Sequence, residues 1–143
     1  MEKETENIIK QFIDWTKVKT KIHLCKPANV YFNERDIWWA SMGLNVGFEV
    51  KGKGESFSRP IIILRKLSAD TCLVVPLTTS AKRKKLFPLG KISGDDESFA
   101  LVEQIRLIDK KRLEEKVGML EEKVFDNLKQ AVLGLIGATN KEE

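Results

Sequence analysis

The middle of the chain, residues 58–80, reads Ser-Arg-Pro-Ile-Ile-Ile-Leu-Arg-Lys-Leu-Ser-Ala-Asp-Thr-Cys-Leu-Val-Val-Pro-Leu-Thr-Thr-Ser. Residues 60–64 and 72–76 are apolar runs rich in β-branched side chains, and residues 68–71 between them have the composition of a turn. This pattern predicts two antiparallel strands that form a hairpin at the centre of a sheet.

Shorter segments on both sides of this hairpin complete the predicted sheet. Further strands are predicted at residues 36–41, 87–92, 99–108 and 116–120, with a short helical turn at 109–113. The segment 42–58 contains four glycines and several charges, so it is too rich in glycine for a helix and too long for a tight hairpin. We expect it to be a mobile loop.

Two amphipathic segments at the ends of the chain predict helices. Apolar residues recur at helical spacing in residues 5–22 and again in residues 121–136, where Glu121 and Glu122 fill the first turn and Gly137 follows the last. We therefore expect an α+β fold, a small and strongly bent sheet or barrel with a long C-terminal helix. The expected organisation is an N-terminal helical extension at 1–30, a core domain at 31–138 and a polar tail at 139–143.

Charge is distributed unevenly along the chain, although the net charge is only +4. Residues 51–92 hold ten basic and two acidic side chains, a net charge of +8, whereas the two flanking segments are neutral and acidic. A basic centre suits binding to phosphates or to an acidic partner. The basic run of residues 82–85 is alternatively a solvated loop, and the pattern does not decide between the two.

Several classes of protein are excluded by what the chain lacks. His23 is the only histidine, so a mechanism that needs two histidines from one chain is impossible. Cys25 and Cys72 have no C-x-x-C spacing and there is no histidine cluster, so we predict no metal and no thioredoxin-like chemistry and interpret both cysteines as reduced packing residues, with one disulfide left open. The N-terminus lacks a signal peptide, and no apolar run could span a membrane, so a soluble cytoplasmic protein is expected.

Four motifs follow one another in a recognisable order. They are Gly47-Phe48-Glu49, then Ser58-Arg59-Pro60, then Val75-Pro76-Leu77-Thr78-Thr79-Ser80, then the run from Glu103-Gln104-Ile105-Arg106 to Arg112-Leu113. Their order and spacing over residues 35–136 resemble the MazF/PemK/Kid family, the ribonuclease toxins of bacterial toxin-antitoxin pairs. The last run is the most specific part of the resemblance.

The resemblance implies a fold, an activity and a set of partners. The fold would be an SH3-like β-barrel with a C-terminal helix, and the protein a homodimer. The activity would be metal-independent cleavage of single-stranded RNA by the RNA's own 2′-hydroxyl, which inhibits translation and growth without any cofactor. The partners would be an acidic, partly disordered antitoxin and, only through the antitoxin complex, operator DNA.

The same resemblance assigns catalytic roles to Arg59, Thr78 and Glu103. In-line attack builds negative charge on the phosphoryl oxygens, and Arg59, at the start of a rigid strand, suits the role of a fixed cation. Thr78 would donate to a non-bridging oxygen, and Glu103 is either a base or a structural ion-pair partner of Arg106 or Arg112. The predicted substrate-binding residues are Lys53, Thr79, Ser80, Lys82, Arg83, Lys84, Lys85 and Gln104.

Two departures from the family pattern bear on the acid-base chemistry. Phe48 stands where some members have a histidine, and Leu101 and Glu103 stand where some have an Arg-x-Asp before the glutamine. Arginine is a poor proton donor or acceptor at neutral pH. Arg59 is therefore assigned to charge stabilisation, and the general base stays open.

Two other functions fit the same fold. One is a poison of a protein target such as DNA gyrase, as in the related CcdB toxins, but their C-terminal Trp-Gly-Ile is absent from residues 138–143. The other is a catalytically silent nucleic-acid-binding barrel, which the basic segment favours and which Trp38 and Trp39 would support if they are exposed. Adjacent aromatic residues in an apolar strand are more often buried.

Overall fold

An antiparallel sheet of seven strands forms the centre of the computed structural model, which describes residues 1–25, 29–82, 86–92 and 94–137. The strands are β1 (Asp36–Ser41), β2 (Ser58–Lys66), β3 (Thr71–Thr78), β4 (Phe87–Lys91), β5 (Glu97–Ala100), β6 (Arg106–Asp109) and β7 (Leu113–Met119). Their order is β4-β5-β3-β2-β1-β7, and β6 pairs with β3 next to β5. The predicted central hairpin is thus confirmed as β2 and β3.

The two central strands are apolar without alternation because both of their faces are buried. On β2, Ile61 and Ile63 pack into one hydrophobic cluster inside the curl of the sheet, while Ile62 and Leu64 pack into a second cluster beneath a helix. Successive side chains of a strand point to opposite faces, so a strand between two clusters needs apolar residues at every position.

The C-terminal helix, α2 (Glu122–Leu135), covers the second cluster. It buries Phe125, Leu128 and Val132, whereas Leu135 and Ile136 remain 43% and 65% exposed. The final turn of the helix is therefore not covered by the sheet. The predicted α+β class is confirmed as a curled antiparallel half-barrel with a helix at each end of the chain.

The N-terminal helix, α1 (Glu2–Leu24), touches the sheet through its C-terminal half alone. Trp15 is buried and Ile22 is half-buried, but Ile8, Ile9 and Ile13 are each at least 50% exposed. The predicted helix is confirmed, although most of its apolar stripe lies in solvent. His23 is exposed, as is Cys25, so the prediction that both cysteines pack inside holds for Cys72 but is wrong for Cys25.

A single strand over residues 99–108 was predicted, and this prediction is wrong. The chain forms β5, then a 3-10 turn at Val102–Gln104, then β6. Both strands pair with β3, but Pro76 lies between the two paired segments. Leu101 N donates to Pro76 O at 2.8 Å, while the proline has no N–H to return, so the ladder breaks there.

Two more of the predicted elements, a helical turn and an edge strand, are present in the structure. The helical turn predicted at 109–113 is the 3-10 helix Lys110–Arg112, and the edge strand predicted at 116–120 is the longer β7. Within residues 42–57 the structure has turns and a single bridge between Lys53 and Ser58. The predicted polar tail at 139–143 lies outside the described residues, and no helix in the described part is long and apolar enough to cross a membrane.

Candidate active site

Arg59, at the second position of β2, is held by two backbone carbonyls. Its Nε donates to Lys51 O at 2.7 Å, and its NH1 nitrogen donates to Leu77 O at 2.9 Å. The first acceptor belongs to the loop at 42–57 and the second to the end of β3, so the guanidinium joins these two segments. Pro60 restricts Arg59 to an extended backbone, which fixes the direction in which the side chain leaves the strand.

A cavity of about 480 Å³ opens beside this guanidinium, and we call it the arginine cavity. Its lining includes Arg59, Thr78, Thr79 and Lys53, together with Trp39. The two tryptophans of β1 point in opposite directions, since Trp38 is 8% exposed in the core and Trp39 is 42% exposed at the cavity. Ser58 and Ser98 also line it, so the cavity combines two basic side chains, four hydroxyls and one exposed aromatic side chain.

Thr78 is the last residue of β3, and the chain bends directly after it. Its Oγ1 accepts from Ser80 N at 3.1 Å, which fixes the oxygen and leaves the hydroxyl hydrogen able to donate. Ser80 and Lys82 continue the turn as exposed residues, with Lys82 N donating to Ser80 Oγ at 3.4 Å. The three remaining predicted binding residues, Arg83, Lys84 and Lys85, lie outside the described part of the chain.

Glu103 and Gln104 line a second cavity of about 720 Å³, which we call the glutamine cavity. The amide of Gln104 is engaged at both ends, since Oε1 accepts from Val50 N and Nε2 donates to Phe48 O, each at 2.9 Å. This side chain therefore holds the loop at 42–57 in place. Glu103 is exposed at the rim of the same cavity.

The loop at 42–57 contributes to both cavities. Arg59 holds it at Lys51 from one side, and Gln104 holds it at Phe48 and Val50 from the other. The structure therefore brings Lys53, Arg59, Thr78 and Thr79 together at one cavity, but Glu103 and Gln104 line the other. The 3-10 turn that follows β5 carries these last two residues, which is why they do not lie on a strand as predicted.

Burial lowers the pKa of two arginines near the loop. For Arg106 the main cause is burial, and the nearby Glu49 opposes it. For Arg112 burial is again the largest cause, followed by repulsion from Arg106, and Asp109 opposes the shift. Arg112 NH1 donates to Ser41 O at 2.9 Å, so this cation braces the end of β1 from which the loop leaves.

Two features of the site escaped the sequence interpretation. Trp39 was considered only as a core or surface aromatic, because adjacent strand residues point to opposite faces without indicating which of the two is buried. Lys51 holds Arg59 through its backbone carbonyl oxygen, and a pattern of side chains in the sequence does not predict a backbone contact. Among the described residues, no group of three or more His, Cys, Asp or Glu side chains could hold a metal ion.

Comparison with known proteins defines the class to which this fold and site belong. The chain resembles a crystal structure of MazE-MazF from Deinococcus radiodurans with a TM-score of 0.58 and 16% identity, over 78% of this chain and 100% of that chain. At that identity the likeness concerns the fold alone, a curled antiparallel half-barrel.

Sequence comparison then gives the family. Residues 33–136 match the model of the PemK-like, MazF-like toxin of type II toxin-antitoxin systems, and the chain belongs to that family. Endoribonuclease EndoA from Bacillus subtilis is 27% identical over 106 residues, which cover 68% of this chain and 87% of that protein. Endoribonuclease MazF from Staphylococcus epidermidis is 32% identical over 98 residues, covering 60% and 82%. The resemblance read from the sequence motifs is confirmed.

Proposed function

We propose that this protein is the toxin of a toxin-antitoxin pair and a metal-independent endoribonuclease that cleaves single-stranded RNA. Its family and the activity in the names of its two curated relatives support an endoribonuclease. The observation that carries the finer proposal is the guanidinium of Arg59, which two carbonyls hold at the edge of a cavity beside the hydroxyl of Thr78. Such an arrangement suits a phosphodiester whose charge increases during reaction.

The proposed reaction uses a nucleophile that RNA itself supplies. The 2′-oxygen attacks the adjacent phosphorus as its proton leaves, and the bond from phosphorus to the 5′-oxygen breaks. The departing 5′-oxygen takes up one proton, so the products are a 2′,3′-cyclic phosphate and a 5′-hydroxyl. The protein then needs to orient the phosphate and stabilise its charge, without forming a covalent bond to it.

Five residues of the arginine cavity are assigned roles in this reaction. Arg59 stays protonated at neutral pH, so it stabilises the charge on the phosphoryl oxygens and does not accept the 2′-hydroxyl proton. Thr78 donates a hydrogen bond to one of the same oxygens, and Lys53 and Thr79 bind the neighbouring phosphate. Trp39 offers a face on which an unpaired base can stack, a contact worth about 1 to 3 kcal/mol.

The proposal extends to the partners and the organisation of the chain. An acidic antitoxin segment would cover the arginine cavity and neutralise its cations, since the family consists of toxins from type II toxin-antitoxin systems. We further propose a homodimer in the cytoplasm that meets operator DNA only through the antitoxin complex. Residues 31–138 form the toxin domain in this account, and residues 1–30 are its extension.

A substrate with one altered sugar tests the chemistry directly. The purified protein should cut a single-stranded RNA in excess EDTA, and the same RNA with one 2′-deoxy sugar at the cut site should resist there. Single-stranded DNA of the same sequence is the matched control and should stay intact. Cleavage that requires added divalent metal, or that proceeds through the 2′-deoxy position, contradicts the proposal.

A further inference from the structure

We infer that the N-terminal helix α1 positions the loop at 42–57, and that Trp15 is the positioning residue through which the helix acts. This inference rests on the proposed function, because it concerns the efficiency of the same cavity. It assigns a role to residues 1–25, which lie outside the matched family region at 33–136. Three contacts of one buried side chain carry it.

The first contact is with Gly43, at the start of the loop. A Cβ atom at this position would lie 2.2 Å from Trp15 Cζ2 and 2.3 Å from Cε2, closer than any real contact. The indole therefore lies directly against the backbone of Gly43, in space that the missing side chain leaves. Gly43 also has a φ of +79°, a conformation that glycine adopts without strain.

The second contact is with Phe57, at the other end of the loop. The two rings meet edge to face, with their centroids 5.5 Å apart and an interplanar angle of 62°. Phe57 has a φ of +50°, which is unfavourable for a side chain of this size, so the surrounding packing must maintain it. Phe57 O accepts from Met42 N at 2.8 Å and from Gly43 N at 3.1 Å, and Gly43 O accepts from Gly52 N at 2.8 Å. We call these four residues the stem of the loop, and Trp15 packs on two of them, Gly43 and Phe57.

The third contact places the indole beside a half-buried cation. The guanidinium carbon of Arg112 lies 5.7 Å from the centre of the Trp15 ring, and the same guanidinium donates to Ser41 O. Trp15 thus packs against the start and the end of the loop and against the arginine that holds the end of β1. Its position explains why α1 is fixed to the sheet there while its N-terminal half projects into solvent.

The stem has a direct connection to the reacting groups. Phe57 precedes Arg59 by two residues, and the loop supplies Lys51 O, to which Arg59 Nε donates at 2.7 Å. A shift of the stem therefore moves both the arginine and one of its two anchors. Displacements of about 1 Å can cost an enzyme on the order of 100-fold in rate.

Replacement of Trp15 should disturb the loop and spare the sheet, because Trp15 belongs to neither of the two hydrophobic clusters. In Trp15→Ala, the stem amides of Met42, Gly43 and Gly52 should exchange hydrogen at least about 10-fold faster, while β3 amides keep their protection. The kcat for RNA cleavage should fall by about 10-fold with KM changed by less than about 3-fold. The matched control is Ile13→Ala, an exposed apolar residue of the same helix, which should change neither quantity.

A second substitution tests the contact without relying on Trp15→Ala to fold. Gly43→Ala should accelerate stem exchange because its methyl group collides with the indole, and adding Trp15→Ala should remove part of that effect, since the collision is gone. Equal exchange of the stem amides in the wild type and Trp15→Ala contradicts the inference, whatever the activity. Faster exchange with unchanged kcat also contradicts it. A wild type that cleaves no RNA overturns the proposed function instead, while the exchange measurement still tests the packing.

Discussion

Two hydrogen bonds to backbone carbonyls hold Arg59 in one orientation before any substrate arrives. A cation fixed in this way loses little freedom when a phosphate binds, and it does not have to reorganise as charge develops. Lysine in its place would keep the charge but could not form both bonds with one planar group. The fork geometry of the side chain, as well as its charge, therefore matters at this position.

Thr78 makes a smaller contribution by the same reasoning. Thr78→Ala removes one neutral donor and should lower the single-turnover cleavage rate by about 10-fold, the worth of one hydrogen bond in the transition state. The matched control is Thr71→Ala at the opposite end of β3, which should leave the rate unchanged. Equal rates for Thr78→Ala and the wild type would remove Thr78 from the mechanism.

Cys72 gives the molecule a dependence of stability on alkaline pH. Burial, with a smaller contribution from Asp109, raises the pKa of this thiol from 9.0 to about 11. Above pH 9 the unfolded chain loses the thiol proton while the folded chain keeps it, so stability falls as the pH rises from about 9 to about 11. Urea unfolding of the wild type and Cys72→Ala at pH 8 and pH 10.5 should show a steeper fall for the wild type, and parallel falls would be the contrary result.

At the scale of single residues, the sequence predicted the arginine cavity better than the glutamine cavity. Arg59 lies at the start of β2, and Thr78 and Thr79 lie at and directly after the end of β3, two strands whose pairing follows from their apolar pattern. Glu103 and Gln104 could not be placed, because a proline on the neighbouring strand decides where the ladder breaks. Trp39 was ambiguous because the pattern of β1 does not say which of its two tryptophans is buried.

At the scale of elements, one buried carboxylate links the first strand to the last. Asp36 is 1% exposed, and its Oδ2 accepts from Asn33 N at 2.9 Å and from Trp38 Nε1 at 3.3 Å. Its Oδ1 lies 3.2 Å from Lys116 Nζ on β7. This side chain therefore fixes the start of β1, the indole of the core tryptophan and the edge strand together.

Asp36→Ala should destabilise the fold much more than loss of an exposed ion pair. It leaves the buried Trp38 Nε1 and the part-buried Asn33 N without their acceptor, so the free energy of unfolding should fall by about 2 to 4 kcal/mol. The matched control is Asp70→Ala, whose carboxylate is 68% exposed and lies 3.0 Å from Lys110 Nζ, and which should cost about 0 to 1 kcal/mol. Similar losses for the two variants in urea unfolding would contradict this account of Asp36.

Helices and strands were predicted well where the local spacing of apolar residues determines them. They were predicted poorly where pairing with a distant strand determines them. The two helices, β1 and the central hairpin follow from local patterns of apolar residues. The uninterrupted apolar run of β2 did not reveal that the strand separates two clusters, because a run of this kind reads the same in any buried strand. The exposure of Ile8, Ile9 and Ile13 could not be predicted either, since an apolar stripe on a helix does not specify what covers it.

At the scale of the whole molecule, α2 leaves apolar surface near its C-terminal end. Leu133, Leu135 and Ile136 are 38%, 43% and 65% exposed, which is more than a covered helix end would show. We expect light scattering at micromolar concentration to give a mass twice that of one chain. Leu135→Asp should shift the mass toward one chain, and the control Val46→Asp, at an exposed loop residue, should not. A monomeric wild type would contradict the proposed homodimer.

The central claim is that Arg59 stabilises the phosphoryl group during RNA cleavage, and the single-turnover rate of Arg59→Ala tests it most directly. With the fold verified by circular dichroism, this variant should cleave single-stranded RNA in EDTA about 100- to 1000-fold more slowly than the wild type. Arg59→Lys should recover only part of the loss, since it keeps the charge without the fork. Cleavage by folded Arg59→Ala at the rate of the wild type would contradict the account and move the reaction away from the arginine cavity.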